Sequence, residues 1–369
     1  RSLAGGLLLP CELRLPDITG SYEDVIGANV VARAAGPVFV NPVGGDPLLA
    51  SQSGPLMGTV LGGGDSMDER TVRLLLREPS YPAVVRIRQR LLERFGQEPP
   101  VAEAMSRGYL VLHTPDKYVD ESEHFIQLVT HTYLESDPAY IDRRMRALVV
   151  MALEPDANLE RLSLLWEAVG PTAVAYLQPL YSNENPRVRA YAARAGLRLE
   201  DVRALPVLVE LATTLQNDVA LMATEALGRC PYPQAAISLV PLLDSDDQRL
   251  RVAAYEALRR HRHSAIRTRV FRSLLDPVQM NFVLDVVTSN GPPLIYVRRA
   301  QSPRIVVFGP DLRARRPLFY SAPDDAITVN AVSATADVTV FAKRNGRLTD
   351  RLHVSPSVVD IITALGKLP

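Results

Sequence analysis

The spacing of hydrophobic residues changes several times along the chain, and the first stretch has the pattern of β structure. From residue 1 to about 68, short apolar runs such as Val38-Phe39-Val40 alternate with turns rich in glycine and proline. Gly62-Gly63-Gly64 interrupts this stretch, but neither a lysine nor a helix start follows it, as a phosphate-binding loop would require. We therefore predict a β-rich segment over residues 1–68, with these glycines as a flexible connector.

Residues 69–137 combine two spacings. Residues 71–76 and 109–113 form strand-like apolar runs, whereas residues 81–95 and 121–134 carry apolar side chains at helical intervals. Because the two kinds of element alternate, we predict a small β-α-β-α unit here.

A repeat follows. Three sets of small or aliphatic residues recur every 31 residues: Val188, Ala192 and Ala195, then Val219, Ala223 and Ala226, then Leu250, Ala254 and Ala257. Leucines of a second helix keep the same interval, at positions 177, 208 and 239. Stacked helix pairs produce such a period, and alanines let neighbouring helices approach closely. We predict a HEAT-like α-solenoid over residues 138–276.

After Pro277, hydrophobic residues recur at every second position. Residues 294–297, 304–308, 326–329 and 337–341 have the pattern of strands, and several of them are followed by turn residues. A serine and proline then precede an apolar segment, 358–365, which Gly366 ends, so a helix is expected there. Residues 277–369 are therefore a small β domain with a terminal helix, and the whole chain is an α+β multidomain protein.

Charge and composition narrow the classes of partner. The 369 residues contain 41 lysines and arginines against 41 aspartates and glutamates, so no bulk charge attracts nucleic acid or an anionic membrane. No run of 18 apolar residues is present, and no membrane span is expected. The chain opens at Arg1 without a methionine; we treat this start as truncated and infer no export signal from it.

Residues that could carry chemistry are few and scattered. His124 and His131 lie about two helical turns apart, and His261 and His263 flank Arg262 in a basic turn. The two cysteines, Cys11 and Cys230, match no metal-binding or redox spacing. Motifs of nucleophilic and metal-dependent hydrolases are absent from the sequence. We expect no catalytic residue, metal, cofactor or small-molecule substrate, and therefore no enzyme.

Arginine clusters are the remaining candidates for function. A solvated helix face or a protein interface would account for them, whereas nucleic-acid binding is not expected, because the sequence has no aromatic stacking platform. Arginine suits protein interfaces because its planar guanidinium binds carboxylates with two hydrogen bonds. The candidate interface residues are Arg86, Arg88, Arg90, Arg259, Arg260 and Arg262.

Several segments of the first half resemble a known family. Residues 36–42 (GPVFVNP), 50–56 (ASQSGPL) and the following three glycines are similar to a strand, turn and connector of the bacterial flagellar basal-body P-ring protein family. Residues 71–81 and the helix that ends in Arg94-Phe95-Gly96 resemble the next strand and helix of that family. Residues 293–297 and 303–309 are similar to a divergent branch that carries HEAT-like repeats.

The resemblance implies a non-enzymatic, periplasmic protein that assembles into a ring around the flagellar rod. Its partners would be other copies of itself and other flagellar basal-body proteins. The alternative is a cytoplasmic scaffold, unrelated to motility, whose HEAT-like repeats bind another protein. The start of the full gene distinguishes the two, because an export signal would favour the periplasmic protein.

Overall fold

The computed structural model contains helices and sheets in two compact units. It describes residues 3, 6–14, 30–39, 59–60, 64–67, 72–215, 217–272, 280–298, 303–322, 326–344 and 347–368. The first unit combines Arg1–Glu69 with Ser264–Pro369, and the second is Arg70–His263. Eleven α-helices and four sheets lie in the described ranges, so the chain is an α+β multidomain protein.

The N-terminal part of the first unit is a small antiparallel sheet. Its strands are β1 (Leu7–Arg14), β2 (Val30–Phe39), β3 (Thr59–Val60) and β4 (Gly64–Ser66), and β2 pairs with each of the other three. Gly62 and Gly63 lie outside the described residues, as do residues 41–42 and 50–56 of the segments that resemble the P-ring family.

The second unit begins with a three-stranded antiparallel sheet packed on helices. Its elements are β5 (Val72–Leu75), α1 (Tyr81–Phe95), β6 (Ala102–Ser106), β7 (Tyr109–Leu112) and α2 (Ser122–His131), in the strand order β5-β7-β6. The predicted β-α-β-α order therefore missed β6. Only the first residue of this edge strand is buried, so the strand lacks the alternation of apolar and polar residues that marks a strand in sequence.

Helices make up the rest of the second unit. They are α3 (Pro138–Ala152), α4 (Leu159–Val169), α5 (Val174–Leu177), α6 (Pro186–Arg198), α7 (Ala204–Thr214), α8 (Asp218–Leu227), α9 (Pro233–Leu239) and α10 (Gln248–Arg260). The alanines of the 31-residue period lie in α6, α8 and α10, and all six are buried. The side chains of Asn185, Asn217 and Asp247 accept backbone hydrogen bonds that begin these three helices.

The helical prediction extends too far toward the C-terminus. The helices of this region end at Arg260, and the next element is the strand β8 (Ile266–Arg272). Most side chains of β8 are exposed, and its strand geometry depends on pairing with β9 (Met280–Val287), which follows in the sequence. Local hydrophobic spacing therefore did not reveal it.

The C-terminal part of the first unit contains two four-stranded sheets and one helix. Its other elements are β10 (Leu294–Arg298), β11 (Arg304–Phe308), β12 (Leu318–Ser321), β13 (Ile327–Ala331), β14 (Val338–Arg344), β15 (Arg347–Val354) and α11 (Val358–Leu365). One sheet has the order β10-β11-β9-β8, with β11 parallel to β9, and the other is the antiparallel meander β12-β13-β14-β15. The expected terminal helix is confirmed. It contributes Ile361 and Leu365 to the core of the meander and Val358 and Ile362 to the core of the other sheet.

Candidate protein-binding groove

The arginines proposed on α1 have two different environments. Arg86 and Arg88 are exposed, whereas Val84 and Leu91 of the same helix are buried. Arg90 instead donates a hydrogen bond from Nε to the carbonyl oxygen of Tyr133 at 3.0 Å, and its side chain is only 14% exposed. This contact makes Arg90 a structural residue, whereas Arg86 and Arg88 are accessible.

The arginines proposed at the end of α10 also differ from one another. Arg259 pairs with Glu256 of the same helix. Nη2 of Arg259 lies 2.9 Å from Oε2 of Glu256, and both side chains are mostly buried. Arg260 and Arg262 are exposed. A reversal of the charge on Arg259 would place two carboxylates together, so Arg260 is the better position for probing this surface.

A groove on the second unit brings together side chains that lie far apart in the sequence. It has a volume of about 850 Å³ and is lined by α2, α4, α6 and α8 and by the 3-10 turn that precedes α2. A smaller recess of about 220 Å³ shares four of its charged residues: Glu121, Arg194, Arg198 and Arg229. We call the groove and the smaller recess together the charged groove.

Three arginines lie at the C-terminal ends of α6, α8 and α10. Arg198 is the last residue of α6, Arg229 comes two residues after α8, and Arg260 is the last residue of α10. They stand at the same 31-residue interval as the buried alanines. A cation at a helix C-terminus is favourable because carbonyl groups there carry partial negative charge. We call Arg198, Arg229 and Arg260 the arginine row.

Glu121 neutralises part of the arginine row. Its carboxylate accepts hydrogen bonds from both terminal nitrogens of Arg198, at 3.0 and 3.3 Å, and also contacts Nε of Arg229. Burial alone would raise the pKa of Glu121, but the positive charge and hydrogen bonds of Arg198, with further charge from Arg229, hold that pKa below its usual range. Glu121 therefore stays ionised and links the ends of α6 and α8.

A buried carboxylate lines the smaller recess. Glu167 on α4 is 3% exposed, and its two oxygens lie 2.9 and 3.0 Å from Nε2 of His124. A carboxylate has no hydrogen to donate, so Nε2 of His124 is the donor. Arg198 lies 3.8 Å from the same carboxylate. These contacts hold α2, α4 and α6 together.

A second cluster of charge lies one helical turn away. Both oxygens of Glu160 pair with Arg194, at 2.8 and 3.1 Å, and the same guanidinium lies over the ring of Tyr191. Burial opposes the ionised form of Glu160, yet hydrogen bonding and charge from Arg194 lower its pKa. The groove is thus lined by ionised side chains held in fixed positions.

Potential metal ligands and thiols are the other candidate chemical groups of the chain. Among the described residues, no group of three histidine, cysteine or carboxylate side chains could hold a metal ion. Cys11 and Cys230 are free thiols, and burial raises the pKa of Cys230, which disfavours its reactive thiolate. In the part of the chain that the structure describes, no helix has both the length and the apolar character needed to cross a bilayer.

The charged positions of the sequence also carry a signal for this groove. The 31-residue period also relates Glu167 to the arginine row, because Arg198 comes 31 residues after it. Applied to charged positions, the period would have identified Arg198 and Arg229. The roles of Glu121 and His124 had no such signal, since both belong to elements outside the repeat.

Comparisons with known proteins identify no family. No family model matches the chain, and no curated protein matches it. Among solved structures, it is similar to the crystal structure of an engineered protein, with 20% sequence identity over 40% of this chain and 76% of that chain. The TM-score is 0.26, a likeness that supports no argument about fold or function.

Proposed function

We propose that this chain is a non-enzymatic structural protein that binds other proteins through the charged groove. The helices of the second unit would form a short HEAT-like array, and the chain would act as a P-ring-like component of the flagellar basal body in the periplasm. Its partners would be copies of itself and other basal-body proteins. The P-ring assignment comes from the sequence resemblance alone.

One observation carries the binding role. The charged groove spans four helices and is lined by ionised side chains that are fixed by mutual contacts, as at Glu121 and Arg198. Side chains that are already ordered lose less conformational entropy when a partner binds. Stacked helices also present long surfaces that suit protein partners.

The experiment measures assembly with a charge reversal inside the groove. Light scattering and electron microscopy on the full-length protein should reveal oligomers or rings, and envelope fractions should yield basal-body partners. Glu225 is exposed and lines the groove, so Glu225→Lys should change the extent of assembly or of partner recovery. Glu135→Lys is the matched control, because Glu135 is also exposed but does not line the groove.

Two results would contradict the proposal. A protein that stays monomeric at high concentration and recovers no partner from envelope fractions would not be a structural assembly component. Equal assembly by wild type and Glu225→Lys would move the binding surface away from the groove. Partners recovered only from the cytosol would favour the scaffold unrelated to motility.

A further inference from the structure

The arginine row is neutralised unequally along its length. Glu121 lies between Arg198 and Arg229 and contacts both. Arg260, at the next position of the row, is exposed and has neither an ion pair nor a side-chain hydrogen bond within the described ranges. We call the space between two neighbouring arginines of the row a gap. The carboxylate of Glu121 fills the gap between Arg198 and Arg229. The next gap lies between Arg229 and Arg260, and no described carboxylate pairs with Arg260.

The ends of α8 and α10, which carry Arg229 and Arg260, are in direct contact. Nε2 of His261 lies 3.1 Å from the carbonyl oxygen of Leu227, which fixes the end of α10 to the end of α8. One turn earlier, Ala257 packs against Gly228 so closely that glycine is needed there. Arg229 and Arg260 each adjoin one of these contacts, so their backbones are held side by side.

Positive charge accumulates at this end of the row. The nearest acidic residue on α10, Glu256, is paired with Arg259, whereas Arg260 and Arg262 both extend into solvent. Arg229 contacts Glu121 through Nε, and its terminal nitrogens have no hydrogen-bond acceptor among the residues described. Burial and the charges of Arg198 and Arg260 lower the pKa of Arg229, although Glu121 and, more weakly, Glu225 oppose this effect.

We infer that the gap between Arg229 and Arg260 binds a carboxylate side chain from an acidic segment of a partner protein, as Glu121 fills the preceding gap from within the chain. Guanidinium groups bind carboxylates with short, charge-assisted and often paired hydrogen bonds, so two arginines side by side form a favourable site. The inference rests on the proposed function, since it names the partner chemistry at Arg229, which lines the charged groove, and at Arg260 beside it.

The competing explanation is that Arg260 only stabilises the C-terminus of α10. In that case its removal changes the stability of the protein but not its binding of acidic segments. Binding and thermal stability are therefore measured on the same variants.

The test uses a fluorescein-labelled hexaglutamate peptide and fluorescence anisotropy on the full chain at low salt, about 50 mM, where charge screening is weak. Hexaglutamate should bind and hexaglutamine should not. Arg260→Glu should weaken hexaglutamate binding about tenfold or more, whereas Arg143→Glu, the same charge change at an exposed position of α3, should alter it less than about twofold. If Arg260→Glu lowers the melting temperature, Arg260→Gln replaces it, with an expected loss of about threefold or more.

A second variant tests the comparison with Glu121. Glu121→Gln removes the internal negative charge without changing the size of the side chain, so the arginine row carries more net positive charge and hexaglutamate should bind more tightly than to wild type. Equal binding of hexaglutamate and hexaglutamine, or equal losses in the Arg260 and Arg143 variants, would overturn the inference. Weaker binding to Glu121→Gln would overturn it too.

The outcomes also separate this inference from the proposed function. Assembly that depends on Glu225, combined with hexaglutamate binding that does not depend on Arg260, would contradict the inference alone. A monomeric protein without partners that still binds hexaglutamate through Arg260 would contradict the proposed function alone.

Discussion

Gly228 and Ala257 are in direct contact where the end of α8 meets α10. A Cβ atom built on Gly228 would lie 2.5 Å from Cβ of Ala257 and 2.7 Å from its Cα, distances that packed carbon atoms do not adopt. The backbone of Gly228 has φ −67° and ψ −14°, which every residue type can adopt. Glycine is therefore required by the close approach of two helices and not by backbone conformation.

The contact leads to a prediction about packing. Gly228→Ala should lower the free energy of unfolding by about 1–3 kcal/mol, because the added methyl group pushes α8 away from α10. Ala257→Gly, added to that variant, should restore part of the loss, although glycine in a helix costs about 1 kcal/mol by itself. Urea denaturation of the two single variants and the double variant measures the coupling, and additive effects would show that the two residues do not interact.

Ala223 provides a test of the 31-residue register. It is fully buried in α8, so Ala223→Arg forces a long charged side chain between packed helices and should cost about 3 kcal/mol or more. Ala147 is exposed on α3, so Ala147→Arg is the matched control and should change the free energy of unfolding by less than about 0.5 kcal/mol. Thermal melts decide the outcome, and an unchanged melt for Ala223→Arg would show that the register is wrong.

Replacement of Arg94 by another cationic residue should destabilise the fold. Nε of Arg94 donates a hydrogen bond to the backbone carbonyl oxygen of Ala168 at 3.1 Å, and Nη2 donates one to the backbone carbonyl oxygen of Glu167 at 2.6 Å. One guanidinium therefore binds two carbonyls at the end of α4. Arg94→Lys keeps the charge but cannot reproduce this geometry, and should lower the free energy of unfolding by about 1–2 kcal/mol. Chemical denaturation measures the change, with exposed Arg86→Lys as a neutral control; equal stability of both variants would exclude this role.

The low pKa of Glu121 predicts a pH-dependent contribution to stability. Since the folded pKa lies below the unfolded value of about 4.3, ionised Glu121 stabilises the fold above that value, and the stabilisation is lost as the pH falls through the folded pKa. Glu121→Gln should therefore be less stable than wild type by about 1–3 kcal/mol at pH 7, with a difference that shrinks below about pH 4.5. Denaturation from pH 7 to pH 3 tests this, and a constant difference would contradict it.

The sequence by itself determined the parts of this protein that depend on local spacing. The interval of 31 residues located the helices and the buried alanines such as Ala192, Ala223 and Ala254, because each helix must bury one face and the period records that face. The terminal helix Val358–Leu365 followed in the same way from its apolar residues and its flanking serine and glycine.

Tertiary structure decided what the local pattern does not encode. Strand β6 has almost no buried side chains and forms by pairing with β7, and β8 forms by pairing with β9. The charged groove depends on pairs such as Arg198 with Glu121, which are 77 residues apart in the sequence. A charged residue looks the same in sequence whether water or a distant partner neutralises it. Only the tertiary structure, in which α2 packs against α4 and the turn before α2 lies at the ends of α6 and α8, brings Glu121 to the arginine row.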